Sequence, residues 1–436
     1  MNANAAQVPT QSTTPPPAPQ KEAPPPKITL AEQLATLHQT HHTPNYAPGL
    51  ALVKGKGAYV WDADRKKYLD FGAGIAVTGL GHCHPKLVKA VRKQSKRIWH
   101  VSNLYYNDQA PFLAQALCEL SELGGKVFFC NSGAEANEGL LKLARKWGSD
   151  DNRFEVITMR NSFHGRTLAT LTATGQEKVQ YGFAPLPEGF KYAQYNDIES
   201  VKAHLTPKTA AVMLELVQAE GGVLPADPQF VKALAALCEE RNLLLLVDEI
   251  QTGVARTGSM FAFQQYGIKP DAVSLAKGLG GGFPVGAVMT GPRLQDVFGP
   301  GSHGTTFGGQ PLACAVARAV LQTIRDKHLD SNAETMGYLL QNKLKPVIKK
   351  YSFVRAVRGK GLLLGMVIDR PAKDFETLLA RKGLLTICTA GNVIRMVPPL
   401  TINARQVKRA VKIIEKACAE WQAQLIQSSK TQEKSS

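Results

Sequence analysis

The stretch Leu243-Leu244-Leu245-Leu246-Val247-Asp248-Glu249-Ile250-Gln251 runs five apolar residues straight into an acid. Five are too few to cross a membrane and read as a strand buried on both faces. Such strands belong to parallel sheets covered by helices, and the ligands of these sheets sit at the carboxyl ends of the strands. Asp248 stands at that end. A carboxylate there either needs a cationic or hydrogen-bonding partner or caps a following helix.

Outward from it the pattern repeats. Residues 126–130, 155–159, 210–216 and 272–275 read as further strands, and residues 85–97, 135–147, 228–241, 311–326 and 404–426 as helices. Buried strands alternating with amphipathic helices predict an α/β fold with a largely parallel sheet. A turn-rich glycine region, residues 278–309, precedes a later αβ segment that starts near Pro311. With strands over 354–369 and a terminal helix, this segment reads as a second, smaller domain. No repeat of solenoid period occurs.

The chain has 436 residues, 44% of them hydrophobic, enough for a large core and two or three domains and too apolar for wholesale disorder. No apolar run approaches the ~18–20 residues of a membrane helix. The seven cysteines (Cys83, Cys118, Cys130, Cys238, Cys314, Cys388, Cys418) are odd in number, widely spaced and free of any CxxC. That argues for a reducing compartment, with the cytoplasm expected. Eight of the first 26 residues are proline, and the segment 1–27 has no apolar centre. It reads as a disordered extension rather than a signal peptide, with a proline-rich docking ligand as the alternative. The polar residues 427–436 are expected to fray as a second disordered tail.

Four further motifs carry chemistry. The strand 126–130 runs into Asn131-Ser132-Gly133-Ala134 and then a helix, which offers free N–H groups to an anion or, more simply, an N-cap by Ser132. Phe163-His164-Gly165-Arg166 places an aromatic face beside a carboxylate-binding fork. Lys277 follows directly on the strand 272–275, where burial can lower its pKa and make it an amine nucleophile. Its glycines, Gly278 and Gly280 to Gly282, come after the lysine, the reverse of a Walker loop, and suit close backbone approach. His303-Gly304-Thr305-Thr306-Phe307-Gly308-Gly309 adds two hydroxyls in a flexible loop. A lysine nucleophile, a strand-end acid, an aromatic face, a phosphate-binding helix start and an arginine fork together meet the needs of pyridoxal phosphate.

With those motifs in chain order, residues 28–426 resemble the class III, fold type I, pyridoxal-phosphate aminotransferases. Gly79-Leu-Gly-His82-Cys-His84-Pro85, Asn131-Ser-Gly-Ala-Glu-Ala-Asn137, Asp248-Glu-Ile-Gln251 with Arg256-Thr-Gly258, and Ser302-His-Gly-Thr-Thr-Phe-Gly-Gly309 carry the likeness. The resemblance implies that Lys277 is the Schiff-base lysine and proton shuttle, and that Asp248 pairs with the pyridinium nitrogen. It implies Gln251 at the ring hydroxyl, Phe163 stacked on the ring, and Ser132, Gly133 and Ala134 at the phosphate. Thr306 would reach the phosphate of a neighbouring subunit in a homodimer. Arg166, with Thr305 nearby, would bind the substrate α-carboxylate, and Glu220 and Arg395 would form a pair that opens for 2-oxoglutarate.

The implied division is a small domain from residues 28–75 and 316–426 around a large cofactor-binding domain, 76–315. The implied reaction moves the δ-amino group of N-acetylornithine to 2-oxoglutarate by ping-pong kinetics, a step of arginine biosynthesis. Ornithine, succinylornithine and 4-aminobutyrate are the alternative amines. Ile75 and His164 stand where ornithine-specific members typically carry Tyr and Trp. Ala134 replaces a usual Thr, and Glu215-Leu-Val-Gln-Ala-Glu-Gly-Gly222 departs from the usual motif at Leu216 and Ala219.

Two rival readings remain. His82-Cys83-His84 imitates a metal cluster, but Pro85 opens a helix and no further ligand pair follows, so no metal is expected. The net charge of +17, from 52 basic against 35 acidic residues, invites nucleic acid. Lys86, Lys89, Arg92, Lys93, Lys96 and Arg97 share one helix without a recognition motif, and a solvated basic face is the expectation.

Overall fold

In the computed structural model, residues 28–435 are described; the proline-rich segment 1–27 and Ser436 lie outside the described residues. The chain divides at Ala51 into two units. In the first, helix α1 (Leu30–His41) starts at a reciprocal cap. Thr29 Oγ1 accepts the Glu32 N–H at 3.2 Å, while the Thr29 N–H donates to Glu32 Oε2 at 2.8 Å.

The second unit opens with an antiparallel meander of β1 (Leu52–Lys56), β2 (Tyr59–Asp62) and β3 (Lys67–Asp70). Its seven-stranded sheet is then built from β4 (Val127–Cys130), β5 (Glu155–Met159), β6 (Phe190–Ala193), β7 (Thr209–Glu215), β8 (Leu244–Asp248), β9 (Ala272–Leu275) and β10 (Gly286–Thr290). Their order is β4-β10-β9-β8-β7-β5-β6. Strands β6, β5, β7, β8 and β9 run parallel, and β10 is antiparallel to both neighbours. The central strands β7 to β10 are buried at every residue, which is why their sequences are apolar without alternation.

Strand β10 lies inside the region read as turn-rich. Its glycine is there for contact rather than flexibility. A Cβ on Gly286 would sit 2.5 Å from the Ser132 carbonyl oxygen, so only glycine lets β10 pass the end of β4.

Helix α2 (Pro85–Gln94) begins on the expected proline, and α3 (Ala110–Ser121) precedes β4. Helix α4 (Gly133–Trp147) buries Ala136, Leu140, Leu141, Leu143 and Ala144 in a core shared with Leu244, Leu246 and Val288 of the sheet. Helices α5 (Pro228–Glu240) and α6 (Pro311–Asp326) also start on prolines, whose missing N–H costs nothing at that position. After α7 (Leu329–Lys350), β11 (Val354–Lys360) and β12 (Leu363–Ile368) form a hairpin. Helix α8 (Lys373–Arg381), β13 (Leu384–Leu385), β14 (Ile387–Thr389) and β15 (Val393–Met396) follow. The third sheet runs β11-β12-β15-β14, while β13 pairs parallel with β3, so distant parts of the chain share one small sheet.

The last helix, α9 (Ala404–Ser435), runs on past residue 426. Residues 427–435 contain no glycine or proline. Extending an existing helix fixes one residue per hydrogen bond gained, which polar residues tolerate.

All seven cysteines are free thiols. His82 Nε2 contacts Asp70 Oδ2 at 2.7 Å, so that histidine is engaged in a structural pair. Among the described residues no helix is long and apolar enough to cross a membrane.

Candidate active site

A cavity of about 420 Å³ opens at the carboxyl ends of β4, β7, β8 and β9. It gathers Ser132, Gly133, Ala134, Phe163, Arg166, Asp248, Gln251 and Lys277 from four separate segments. The strand order puts β8 in the middle of the sheet, and Asp248 is therefore central to the cavity floor.

Asp248 is 4% exposed and well supplied with donors. Its Oδ2 accepts the Asn137 amide N–H at 2.7 Å and pairs with His164 Nδ1 at 2.8 Å. Its Oδ1 accepts the Ile250 main-chain N–H at 3.0 Å. Burial opposes the charged imidazole of His164, yet the hydrogen bond and charge of Asp248 outweigh it, and the His164 pKa is raised. The same Asn137 amide also donates to the His164 carbonyl at 2.7 Å. Sequence alone gives His164 no role at Asp248 and passes over Asn137. The signal was present: Asn137 lies one helical turn past Gly133, on the face turned to the sheet.

Lys277 opens a short 3-10 turn, Lys277–Leu279, in the left-handed region at φ +42°. Its side chain keeps some accessible area because it borders the cavity. It is nonetheless deep enough that burial pulls the amine pKa below its ordinary value, with Glu220 opposing and Arg395 adding. Of the glycines beyond it, Gly280 serves the expected close backbone approach, while at Gly278 and Gly282 a Cβ would meet only ordinary contacts. A Cβ on Gly280 would lie 1.8 Å from the Phe283 carbonyl oxygen. Against this turn lies a strained one. Ala73, Gly74, Ile75 and Ala76 all have positive φ, and Asp70 Oδ1 accepts the Gly72 and Ala73 N–H groups at 2.9 Å each. Each non-glycine residue so placed costs about 1–2 kcal/mol.

Ser132 caps α4 by accepting the Glu135 N–H at 3.2 Å, which leaves the N–H groups of Gly133 and Ala134 without intrahelical partners. The Arg166 guanidinium sits 5.5 Å from the Phe163 ring centroid. Beside the cavity, Arg395 Nη1 donates to Glu220 Oε1 at 2.6 Å and to Gln251 Oε1 at 2.9 Å. Burial works against the Glu220 charge, but Arg395 overcomes it and the Glu220 pKa is lowered. Thr305 and Thr306 stay outside this cavity. Thr305 Oγ1 accepts from the Asn131 amide at 3.2 Å, and Thr306 is exposed.

The site's chemistry fits pyridoxal phosphate. An amine, a carboxylate engaged by three hydrogen-bonding groups, an aromatic face and two unpaired N–H groups at a helix start surround one cavity. The buried Asn137 Oδ1 and His164 Nε2 also lack partners within the protein. The mostly parallel sheet, with a lysine and an acid on adjacent strand ends, defines a pyridoxal-phosphate-dependent transferase of fold type I.

A model of the family "Aminotransferase class-III" matches residues 41–418, and the chain belongs to that family. The acetylornithine aminotransferase of Caldanaerobacter subterraneus subsp. tengcongensis is 47% identical over 375 residues, covering 85% of this chain and 95% of that protein. The acetylornithine aminotransferase of Bacillus subtilis is 48% identical over 371 residues, 85% and 95% of the two chains. Among solved structures, the ornithine aminotransferase of Toxoplasma gondii superposes with a TM-score of 0.87 at 34% identity, covering 90% of this chain and 96% of that one.

Proposed function

We propose that this aminotransferase moves the δ-amino group of N-acetylornithine to 2-oxoglutarate, yielding N-acetylglutamate 5-semialdehyde and glutamate. The observation that carries it is the closed Glu220–Arg395 pair beside a free Arg166. With the pair closed, one arginine, Arg166, is available for the single carboxylate of an ω-amino substrate. With it open, Arg395 becomes available as well, which suits a dicarboxylate acceptor. Relatives at 47% and 48% identity support the acetylated amine, and Ile75 and His164 in place of Tyr and Trp support it over free ornithine.

When bound, the cofactor supplies an electrophilic carbon for the amine and a sink for the electrons released at the substrate carbon. Ser132, Gly133 and Ala134 hold its phosphate at the start of α4. Phe163 covers one face of its ring. Asp248, held in place by Asn137 and His164, would pair with the ring nitrogen, and Gln251 would orient the ring hydroxyl. Lys277 Nζ, with its lowered pKa, would take up the proton lost by the amine substrate's carbon and, in the second half-reaction, would deliver a proton to the carbon of the acceptor.

A homodimer belongs to this proposal. Leu104, Tyr105, Tyr106 and Phe307 are exposed large apolar residues. Asn103 ties their two segments together by donating to the Thr305 and Gly308 carbonyls at 3.2 and 3.1 Å. An exposed apolar face of this kind suits a second copy, toward which Thr306 would serve the partner's phosphate. We also propose the cytoplasm, as the free thiols suit, and the division into a small domain (28–75 with 316–426) around a large one (76–315).

The test compares kcat/KM for N-acetylornithine, ornithine, succinylornithine and 4-aminobutyrate with 2-oxoglutarate. N-acetylornithine is expected to lead, and preference for any of the other three overturns the substrate assignment.

A further inference from the structure

The acid at the end of β7 is absent from the roles above. Glu215 and Asp248 are register partners on adjacent parallel strands, so their side chains leave the same face of the sheet, and both line the cavity. Glu215 is 5% exposed. Its Oε2 accepts the main-chain N–H of Phe163 at 3.0 Å. Its own carbonyl oxygen is fixed by the Tyr195 hydroxyl at 2.8 Å, which steadies the strand end.

Two neighbouring buried carboxylates cannot both ionise cheaply. Asp248 has a histidine, an amide and a main-chain N–H to hold its charge, whereas Glu215 has the Phe163 amide. The charged groups facing Glu215 are His164 from the loop after β5, Asp248 from β8 and Lys277 after β9. Burial dominates these, and the Glu215 pKa lies well above the ordinary carboxylate range.

We propose that Glu215 is a second acidic positioning residue of this site, holding Phe163 through its main-chain amide and adding a protonatable charge beside Asp248. It acts through Phe163 and through the field at Lys277, not by touching substrate, and it rests on the reading of Lys277 as the cofactor-bearing lysine. Protonated, it leaves Asp248 as the floor's one negative charge. Ionised at higher pH, it adds a second negative charge that favours the protonated form of the Lys277 nitrogen.

The test uses the purified holoenzyme and two variants. Glu215→Gln keeps an oxygen for the Phe163 amide and removes the titration; Glu215→Ala removes both. Two readouts are followed: the pH titration of the visible absorbance band of the lysine-bound cofactor, and pyridoxal phosphate affinity on retitrating the apoprotein. Glu215→Gln should keep affinity within about threefold of wild type and move the titration midpoint down by on the order of one pH unit. Glu215→Ala should also lose about tenfold in affinity. An unmoved midpoint in Glu215→Gln overturns the proposal while wild type keeps its band. A wild type without the band would overturn the underlying reading, and this proposal with it.

Discussion

Two ion pairs mark the site, one lining the cavity and one beside it, and they are built differently. Asp248–His164 is sealed, with side chains 4% and 0% exposed, and both partners come from the large sheet's own strand ends and loops. Glu220–Arg395 joins the segment after β7 to β15 of another sheet, and its glutamate side chain is 29% exposed. A sealed pair with every donor in place holds one charge state. In a pair bridging two sheets, with the arginine buried and the glutamate reached by water, the glutamate is the partner that water can take up when the pair opens. The floor of the site is therefore fixed, and the wall beside it is the part that can change between two substrates.

Breaking the floor should have the largest effect. Asp248→Asn removes the charge that His164 faces, and losing one partner of a buried pair costs about 3–5 kcal/mol. The kcat of both half-reactions should fall at least a hundredfold in single-turnover measurements, with the protein still folded by circular dichroism.

Beneath the same floor, Glu249 is 1% exposed. Burial pushes it up to about 7, although it accepts from the Thr252 hydroxyl and the Phe263 N–H. Between its ordinary 4.5 and about 7, the folded chain holds a proton that the unfolded chain releases. Stability should therefore fall as pH rises through that window, by up to about 3 kcal/mol. Glu249→Gln should flatten that slope in denaturant titrations from about pH 5 to about pH 7.

Disturbing the wall should be milder and selective. Arg395→Met should raise KM for 2-oxoglutarate about 10–100-fold, the worth of a charged hydrogen bond of about 1.5–3 kcal/mol. The amine half-reaction should change far less. Equal losses in both half-reactions would erase the distinction between floor and wall. Least of all, Ser132→Ala should cost about 1 kcal/mol of stability through the lost cap.

The floor was legible in the sequence and the wall only through family likeness. Leu244–Asp248 and Ala272–Leu275 are apolar because they are buried on both faces, and that burial is what delivers Asp248 and Lys277 to one edge. Glu215 ends an equally apolar strand, yet nothing in a single chain says which strands are neighbours, so its pairing with Asp248 was invisible. Strand β10 was hidden because glycines required for backbone contact look like turn residues. Arg395 is 175 residues from Glu220, and only the packing of the third sheet brings them together.

The central claim is that Lys277 carries the cofactor. Borohydride reduction of the pyridoxal-phosphate-loaded protein, followed by peptide mapping, tests it most directly. The account predicts one reduced adduct, on Lys277, absent from Lys277→Ala together with transamination. An adduct on another lysine, or undiminished turnover in Lys277→Ala, would contradict it.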